Sequence, residues 1–484
     1  MSDGMLILAC MVTPLVGAVL VGLTGKRPNV REAMTGLASL TTLGFVLALF
    51  PKVMAGERPS IELFEMLPGV PLAFEVEPLG MVYALVAASL WPLTSSYAAG
   101  YLRGHHEKNQ TRFFICFALA IFAALAIAFS ANLGTLFFFY EVLTLSTYPL
   151  VTHAQNREAR RAGRVYLGIL MSTSVCFLLA AVSWTYFKAG TLDFRDGGIL
   201  AGRVEETALP WLLGLFAYGA GKAALMPLHR WLPNAMVAPT PVSALLHAVA
   251  VVKAGVFTIL KVVVYVFGLD LLTRTGASEW LMAVSAFTII TGSLIAFTQD
   301  NLKARLAYST IAQLAYIVLG AALATPDAVL GGALHIVTHA VGKITLFFCA
   351  GAIIVFAHET NISRMDGLGR KMPWTYGAFL IGSVSIIGLP PTGGAWSKWM
   401  LALGAAEDHA FYIAVLMISS LLNIGYLIPV AARGFFFKPG AHLHAKPTPL
   451  SVRIPLVTTA VLCVVLFFSS SFVIDLVGPI VGRP

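Results

Sequence analysis

Proline interrupts an apolar segment twice in the stretch YGAGKAALMPLHRWLP (residues 218–233). A second apolar segment is interrupted by GLPPTGG (residues 388–394). Because proline lacks a backbone hydrogen-bond donor, each stretch predicts a helix that breaks within a long apolar run. In a membrane, irregular backbone of this kind persists where protein covers it or where it lines a cavity. The two stretches therefore predict interrupted membrane helices beside a path for an ion or substrate.

The composition of the chain places it in a membrane. Of its 484 residues 58% are hydrophobic and 11% are charged, whereas charged residues make up about 25% of a soluble domain. So few polar residues cannot cover a water-facing surface, which excludes a soluble cytoplasmic enzyme, a disordered protein and a nucleic-acid binder. The net charge of +9 is typical of Lys and Arg residues that hold loops at the cytoplasmic face. We predict a multi-pass protein of the lipid bilayer with no nucleic-acid partner.

The apolar segments predict an all-α polytopic membrane protein with about fourteen transmembrane helices. About twenty apolar residues cross the hydrocarbon layer as a helix. We place these helices at residues 5–24, 33–51, 78–100, 112–130, 133–152, 164–187, 210–233, 241–268, 279–298, 305–325, 328–356, 374–404, 410–434 and 454–474. The broken helices are the seventh and the twelfth.

The loops between these segments alternate in charge. Odd-numbered loops are basic, as in the arginine-rich residues 157–164, and even-numbered loops are acidic or neutral, as in residues 57–77. Asp3 precedes the first apolar run and Lys26 follows it, which is the reverse of a cleavable signal peptide. By the positive-inside rule we predict a protein of the cell's inner (cytoplasmic) membrane with both termini on the non-cytoplasmic side.

The positions of the two breaks predict an internal repeat. They lie five helices apart, at the fourth place of two five-helix blocks, and because five is odd the second block is inverted in the membrane. We predict N-terminal helices 1–3 (residues 1–111), a first five-helix repeat of helices 4–8 (112–268), a second inverted repeat of helices 9–13 (279–435) and a C-terminal helix 14 (453–484). Matched breaks in inverted repeats are typical of an ion path. The alternative is that both are ordinary proline kinks, repaired by packing.

Ionisable residues inside the apolar segments are the candidate functional groups. A charge at the bilayer centre costs about 2.5–3.5 kcal/mol. Four of these residues are lysines and one is a carboxylate, so ion pairing alone does not neutralise them. Burial disfavours the charged form of lysine, and such a lysine can bind and release a proton near neutral pH. We predict a main proton relay of Glu141, Lys222, Lys253 and Lys398 and a secondary relay of His247, His335, His339 and Lys343.

The spacing of these residues gives two further expectations. His335, His339 and Lys343 recur every four residues and share one helical face. A carboxylate about 4 Å from an ammonium contributes about 4 kcal/mol at an effective dielectric constant of about 20, so making or breaking a Glu141–Lys222 pair would switch the proton on Lys222. A static structural pair is the alternative. By contrast, Lys188 and Lys261 lie near helix ends and are predicted to be snorkelling anchors.

The sequence predicts no cofactor and no bound metal. The five cysteines form no C-x-x-C pair, and there is neither a dinucleotide-binding G-x-G-x-x-G nor a Walker motif. His335 and His339 have the spacing of a zinc pair, but no third ligand follows at suitable spacing.

Residues 221–255, GKAALMPLHRWLPNAMVAPTPVSALLHAVAVVKAG, resemble the signature region of the antiporter-like membrane subunits of respiratory complex I, Mrp-type cation/proton antiporters and membrane-bound hydrogenases. The segments that end at Glu141, that span residues 301–310 and that run from Pro390 to Lys398 resemble the same family, and the likeness covers roughly residues 75–435. It implies two inverted five-helix repeats and partner membrane subunits. It also implies a proton path through Glu141, Lys222, Lys253, His335, His339 and Lys398. Asn234 replaces the aspartate that often follows Trp-Leu-Pro in the family.

The resemblance leaves two kinds of assembly open. The chain stops about ten residues after the last apolar segment, as in the D-type Mrp subunit, so our first prediction is a proton-translocating transporter subunit, not an enzyme, of a Mrp-type sodium/proton antiporter. The alternative is a proton-pumping subunit of a redox-driven complex, such as NADH:quinone oxidoreductase or a membrane-bound hydrogenase. A scaffold whose buried charges only hold helices together is a third possibility. Because Glu141 is the one carboxylate in the interior of the apolar segments, away from their ends, we expect this chain to move protons and any sodium path to involve another subunit.

Overall fold

The computed structural model describes residues 2–439 and 444–482 and is built almost entirely from helices. Met1 and residues 483–484, which belong to the predicted terminal regions, lie outside the described residues. The first half contains α1 (Asp3–Leu23), α2 (Pro28–Met54), α3 (Pro78–Gly104), α4 (Gln110–Ala128), α5 (Leu133–Val151), α6 (Arg157–Thr173), α7 (Leu179–Ala189), α8 (Leu209–Gly219), α9 (Trp231–Asn234), α10 (Thr240–Ala244), α11 (Val251–Val262) and α12 (Leu269–Thr275). The second half contains α13 (Glu279–Thr298), α14 (Leu302–Leu323), α15 (Pro326–Ala357), α16 (Leu368–Lys371), α17 (Pro373–Ile387), α18 (Gly394–Ala406), α19 (Phe411–Phe436), α20 (Leu450–Phe468) and α21 (Ser471–Val477).

The structure confirms a polytopic helical membrane protein. Within the described residues, 11 continuous helices are long and apolar enough to cross a membrane, counting Arg157–Ala189 and Thr240–Phe267 as single helices. Three other predicted segments correspond to α5 and to two interrupted helices, α8–α9 and α17–α18. The total of fourteen membrane crossings and the boundaries of the inverted repeats stay predictions.

One short sheet lies between α2 and α3, where the apolar segments predicted only a loop. Strands β1 (Ser60–Leu67) and β2 (Val70–Glu75) pair antiparallel, with Ile61 opposite Phe74. Polar and apolar residues alternate over residues 60–63, as is typical of a strand, and the pairing register shifts after Glu62 and after Glu65, where the alternation fails. The turn contains Gly69 with φ +73°. The backbone N–H of Glu75 donates to the carbonyl of Phe129 at 2.7 Å, so the hairpin is fixed to the end of α4.

The seventh predicted helix breaks where its sequence indicated. Helix α8 ends at Gly219, and Lys222 lies in a single tight turn, Gly221–Ala223, before the chain resumes as α9 at Trp231. The indole N–H of Trp231 donates to the carbonyl of Gly221 at 3.0 Å, which satisfies a backbone group that the break exposes. Helix α11 packs directly on this turn, since a Cβ at Gly255 would overlap the backbone nitrogen of Ala223.

The twelfth predicted helix also breaks at its proline-rich stretch. Helix α17 ends at Ile387, Gly388 adopts φ +89°, and α18 begins at Gly394. Gly394 lies against the end of α17, because a Cβ at this position would overlap the carbonyl oxygen of Ser385. The two half-helices therefore meet without a side chain between them.

Gly394→Ala is expected to destabilise the protein by about 1–3 kcal/mol, because the added methyl group forces the half-helices apart. The free energy of unfolding of the purified protein measures this effect. Gly377→Ala is the matched control. Gly377 lies in α17, and a methyl group added there would contact no atom of the described residues within 4 Å. Equal stability of the two variants would contradict the close approach at Gly394.

Three buried helices form the centre of the molecule. The helix Thr240–Phe267 is 100% buried over its most apolar 18 residues, and α14 and α15 are each 94% buried over the same length. The first of these contains two π-helical turns, Leu245–Val249 and Val263–Phe267. Single π-helical turns within α-helices occur frequently at functional sites. The helix and α15 carry most of the predicted relay residues.

Candidate functional site

The structure brings Lys253 and His339 into direct contact. Lys253 Nζ lies 2.8 Å from His339 Nδ1, and both side chains are at most 1% exposed. Lys253 belongs to α11 and His339 to α15. The contact therefore joins two helices through residues that are 86 positions apart in the sequence. The predicted main and secondary relay groups therefore meet at the centre of the protein.

A line of polar groups continues from His339 along α15. The ring of His335 lies one helical turn away, with its centroid 5.7 Å from that of His339. His335 Nδ1 is 2.9 Å from the Ser397 hydroxyl oxygen, which also accepts a hydrogen bond from Thr338 at 3.2 Å. Nε2 of both histidines has no partner within the described residues. Ser397 directly precedes Lys398, so the line leads to the second helix break.

Lys398 belongs to the half-helix α18, and its amine lies at the C-terminal end of the half-helix α17. Its Nζ donates to the carbonyl of Ile387, the last residue of α17, and to the hydroxyl of Ser420, both at 2.9 Å. The ring of Tyr316 is 4.8 Å from the same nitrogen. The carbonyl groups at a helix C-terminus carry partial negative charge. The break thus gives Lys398 a site that accommodates its protonated form without a carboxylate.

Lys343 forms its hydrogen bonds with α14 and not with the histidines that precede it on α15. Its Nζ donates to the hydroxyl of Ser309 at 2.7 Å and to the carbonyl of Leu306 at 3.3 Å. Both acceptors belong to α14. The shared helical face was predicted correctly, yet the hydrogen bonds of Lys343 run to a different helix from those of His335 and His339.

Lys222 contacts the backbone beside Glu141. Its Nζ donates to the carbonyl of Tyr140 at 2.9 Å and lies 3.1 Å from the centre of the Tyr140 ring. The backbone N–H of Lys222 donates to the Tyr140 hydroxyl at 3.1 Å. Tyr140 therefore holds the turn at the first break through both its hydroxyl and its carbonyl.

Glu141 and Lys222 interact without forming an ion pair. The two side chains interact electrostatically. The amine of Lys222 is nevertheless more than 4.0 Å from the carboxylate oxygens of Glu141, which is too far for an ion pair. Neither carboxylate oxygen has a hydrogen-bond partner in the described part of the chain. A static structural pair would show a direct contact. Within the described residues, no direct contact therefore holds the Glu141 carboxylate to Lys222.

His247 is buried among apolar residues near the central contact. It is 0% exposed, and its ring centroid lies 4.6 Å from that of Phe347. Among residues 2–439 and 444–482, neither ring nitrogen has a hydrogen-bond partner. Lys343 and Lys303 both interact with it electrostatically. His247 therefore lies near the other predicted relay residues, but no hydrogen bond connects it to them within the described residues.

Lys261 is a buried partner of Glu77, so the prediction of a snorkelling anchor at this residue is wrong. The two side chains are 0% and 3% exposed, and Nζ of the lysine lies 3.1 Å from Oε1 of the glutamate. The same amine donates to the carbonyl of Ser130 at 2.8 Å, and the hydroxyl of Tyr265 donates to Oε2 of Glu77 at 2.7 Å. The short distance from Lys261 to the end of its helix suggested a side chain that reaches water. That end is covered by Glu77 at the start of α3 and by the loop that carries Phe194, whose ring lies 4.5 Å from the Lys261 amine.

A surface cluster lies next to this buried pair. Arg58 contacts Glu75 at 3.4 Å and Asp196 at 2.7 Å. Burial raises the pKa of the Glu75 carboxyl, although the nearby charge of Arg58 favours its ionised form. Glu77 was assigned to an acidic loop by its sequence position. Pro78, at the first position of α3, is the sequence signal that would have placed Glu77 at the start of this helix. There its Oε1 accepts a hydrogen bond from the Gly80 N–H at 2.8 Å.

Metal binding has no further support at this site. No group of three or more His, Cys, Asp or Glu side chains that could hold an ion occurs in the residues that the structure describes. The donors that meet here are amines, imidazoles and hydroxyls, which transfer protons readily.

Comparison with known proteins assigns the class of this fold and site. Residues 130–423 match the family described as NADH:quinone oxidoreductase/Mrp antiporter, TM. NADH-quinone oxidoreductase subunit N of Desulforudis audaxviator is 33% identical over 438 residues, which cover 85% of each chain. Among solved structures, the Mrp complex from Dietzia sp. DQ12-45-1b contains a chain with a TM-score of 0.85 at 21% identity, covering 99% of this chain and 97% of that one. The membrane-bound sulfane sulfur reductase, an archaeal respiratory membrane complex, contains one with a TM-score of 0.87 at 23% identity, covering 99% and 98%.

The fold and the buried lysines thus define an antiporter-like membrane subunit. The chain belongs to the NADH:quinone oxidoreductase/Mrp antiporter transmembrane family. The two structural relatives, which are less than 25% identical, establish the fold alone.

Proposed function

We propose that this chain conducts protons across the membrane as one subunit of a multisubunit complex. The contact between Lys253 Nζ and His339 Nδ1 at 2.8 Å carries the proposal. Both groups are bases, and two protonated bases repel each other at this distance. The contact therefore holds one proton that either base can own, which is the elementary requirement of a relay.

We infer the order of the proton path from the remaining contacts. Lys253, His339, His335, Ser397 and Lys398 follow one another from the central helix to the second break. Glu141 and Lys222 form a separate group at the first break, which α11 touches through Gly255. A carboxylate that moves toward or away from Lys222 changes the affinity of that lysine for its proton. We assign to this group the loading of the relay in the first half of the chain.

Glu141→Gln is expected to slow proton transport by about tenfold, which corresponds to about 1.4 kcal/mol of lost interaction with Lys222. Stability should be unchanged, because the carboxylate oxygens form no hydrogen bond with described residues. The rate of proton uptake into vesicles that contain the purified complex measures the effect. The matched control is Glu158→Gln, which alters an exposed glutamate at the start of α6. Unchanged uptake in Glu141→Gln would exclude the proposed role of this carboxylate.

The name of the relative in Desulforudis audaxviator, NADH-quinone oxidoreductase subunit N, supports a redox-driven complex as the assembly. The likeness to a chain of the Mrp complex keeps a Mrp-type sodium/proton antiporter as the second candidate. The relay residues are the same for both. For sodium, Glu141 is the one carboxylate among the eight relay residues, so we assign protons to this chain and any sodium path to another subunit.

Affinity purification of the native complex with mass spectrometry distinguishes the two assemblies. Co-purifying flavin and iron–sulfur subunits would establish the redox-driven complex. Small membrane subunits without redox proteins would establish the antiporter. Recovery of the chain without any partner would contradict both.

A further inference from the structure

A second line of hydrogen-bonded groups begins at Lys343. The hydroxyl of Ser309, which accepts from Lys343 Nζ at 2.7 Å, also accepts from the hydroxyl of Tyr426 at 2.8 Å. The Tyr426 hydroxyl is in hydrogen-bond contact with Oδ1 of Asn423 as well. All four side chains are 0% exposed. This line crosses from α15 through α14 to α19 and uses none of the histidines.

The line ends one helical turn from the group that holds Lys398. Asn423 and Tyr426 lie on α19, and Ser420, whose hydroxyl accepts from Lys398 Nζ at 2.9 Å, precedes Asn423 by three residues. Residues three apart lie on the same face of a helix. Nδ2 of Asn423 is buried and without a hydrogen-bond partner anywhere in residues 2–439 and 444–482. A polar stripe on α19 therefore spans from the environment of Lys343 to that of Lys398.

The geometry of Tyr426 suits proton transfer. A phenol has one O–H bond to donate, yet two buried acceptors, Ser309 and Asn423, lie within its reach. The hydroxyl proton can serve one acceptor at a time, so the group has two orientations. When this proton is directed to Asn423, the hydroxyl oxygen can accept a proton from Ser309, so the group can pass a proton from one neighbour to the other.

We propose that Ser309, Tyr426 and Asn423 form a second branch of the relay, which carries protons from Lys343 to Lys398 in parallel with the branch through His339, His335 and Ser397. This inference rests on the proposed proton conduction. Lys343 lies one turn after His339 on α15, and the two interact electrostatically. Both branches therefore start beside the central Lys253–His339 contact.

Each step in this branch breaks one N–H or O–H bond and forms another. The Lys343 ammonium protonates Ser309 while Ser309 passes its own proton to Tyr426. The Tyr426 proton moves to Oδ1 of Asn423 while one proton leaves Nδ2 for Ser420, which lies one helical turn away and passes its own proton to Lys398. The imidic acid left at Asn423 returns to the amide when its Oδ1 proton shifts to Nδ2. In sum Lys343 loses one proton and Lys398 gains one, and no other reactant is consumed.

The test compares proton uptake by vesicles that contain the complex with wild-type chain, His335→Gln, Tyr426→Phe or both substitutions. If the branches carry equal flux, each single variant lowers the rate by about twofold. The double variant should fall to the rate of vesicles without the complex. A double variant that transports as fast as His335→Gln alone would overturn the proposal. If Tyr426→Phe prevents assembly, Ser309→Ala interrupts the same branch and is read in the same way.

Two controls separate this branch from other effects. Tyr376→Phe removes a buried hydroxyl that has no hydrogen-bond partner in the described part of the chain, and it should transport at the wild-type rate. Lys253→Met tests proton conduction itself. If Lys253→Met is inactive and Tyr426→Phe adds nothing to His335→Gln, the branch is excluded and the proposed function survives. If Lys253→Met transports normally, the proposed function fails.

Discussion

Lys253→Met is expected to lower proton transport by about a hundredfold or more, since a positioned proton-transfer group contributes about 10²–10⁴-fold to a rate. Methionine matches the length of lysine and removes the proton-binding amine. His339 loses the partner that lies 2.8 Å from its Nδ1, which costs about 1–3 kcal/mol for an unpaired buried group. Proton uptake by vesicles and the yield of assembled complex, measured together, separate lost transport from lost assembly.

Lys253→Arg distinguishes a proton relay from a structural charge at this position. Arginine keeps the positive charge and the hydrogen bond to the imidazole but does not give up its proton in proteins. We expect this variant to assemble and to be as inactive as Lys253→Met. The matched control is Lys188→Met, which alters an exposed lysine near the end of α7. A Lys253→Arg complex with wild-type transport would support the scaffold alternative.

Lys261→Met is expected to destabilise the protein by about 3–5 kcal/mol, because it leaves the Glu77 carboxylate buried without its cation. Glu77 is 3% exposed and accepts hydrogen bonds from the N–H groups of Leu79 and Gly80 and from the Tyr265 hydroxyl. Both carboxylate oxygens of Glu77 thus have partners, in contrast to those of Glu141 within the described residues. The pair therefore serves to hold α3 against α11 and its π-helical extension, and its loss should act on folding.

Detergent titration of the purified protein measures this loss as a free energy of unfolding. The double variant Lys261→Met/Glu77→Gln should regain much of the stability, since both charges are then absent. Lys52→Met is the matched control, because its contacts with Asp3 at 3.1 Å and Glu57 at 3.4 Å are partly exposed and such pairs contribute about 0–1 kcal/mol. Assembled Lys261→Met complex should transport normally. Normal stability with lost transport would place Lys261 in the relay instead.

The sequence predicted the positions of the helix breaks because their cause is local. Pro227 and the pair Pro390-Pro391 remove backbone donors within apolar runs, and they lie in the stretches that separate α8 from α9 and α17 from α18. The burial of Lys222 and Lys253 followed in the same way from their apolar neighbours, and both are 0% exposed. Local sequence thus predicted the burial of these two lysines, although not that of Lys261.

The partners of these lysines depended on packing between distant segments. Lys253 and His339 are 86 residues apart, and Lys343 and Ser309 are 34 apart. The pairing of Lys261 with Glu77, which was predicted wrongly, required the position of α3 relative to the helix that ends at Phe267. Helix periodicity identifies a shared face, as for His335, His339 and Lys343, but not the helix that covers it. The π-helical turns at Leu245–Val249 and Val263–Phe267 also left no recognised sequence signal.

The proposed second branch of the relay could not be predicted from the sequence either. Ser309, Asn423 and Tyr426 are uncharged, so their presence in apolar helices did not carry the energetic cost that singled out the lysines. Each is common as a single polar residue within a membrane helix. We include them in the relay because Ser309 accepts a hydrogen bond from Lys343 and because Ser420, on the same helix as Asn423 and Tyr426, accepts one from Lys398.

Proton uptake by vesicles that contain the complex with Glu141→Gln, Lys222→Met and Lys253→Met combined measures most directly whether buried lysines carry the protons. Size-exclusion chromatography and subunit analysis establish beforehand that the triple variant is assembled. Uptake should then fall to the leak of vesicles without the complex. Uptake at the wild-type rate would contradict proton conduction through these side chains.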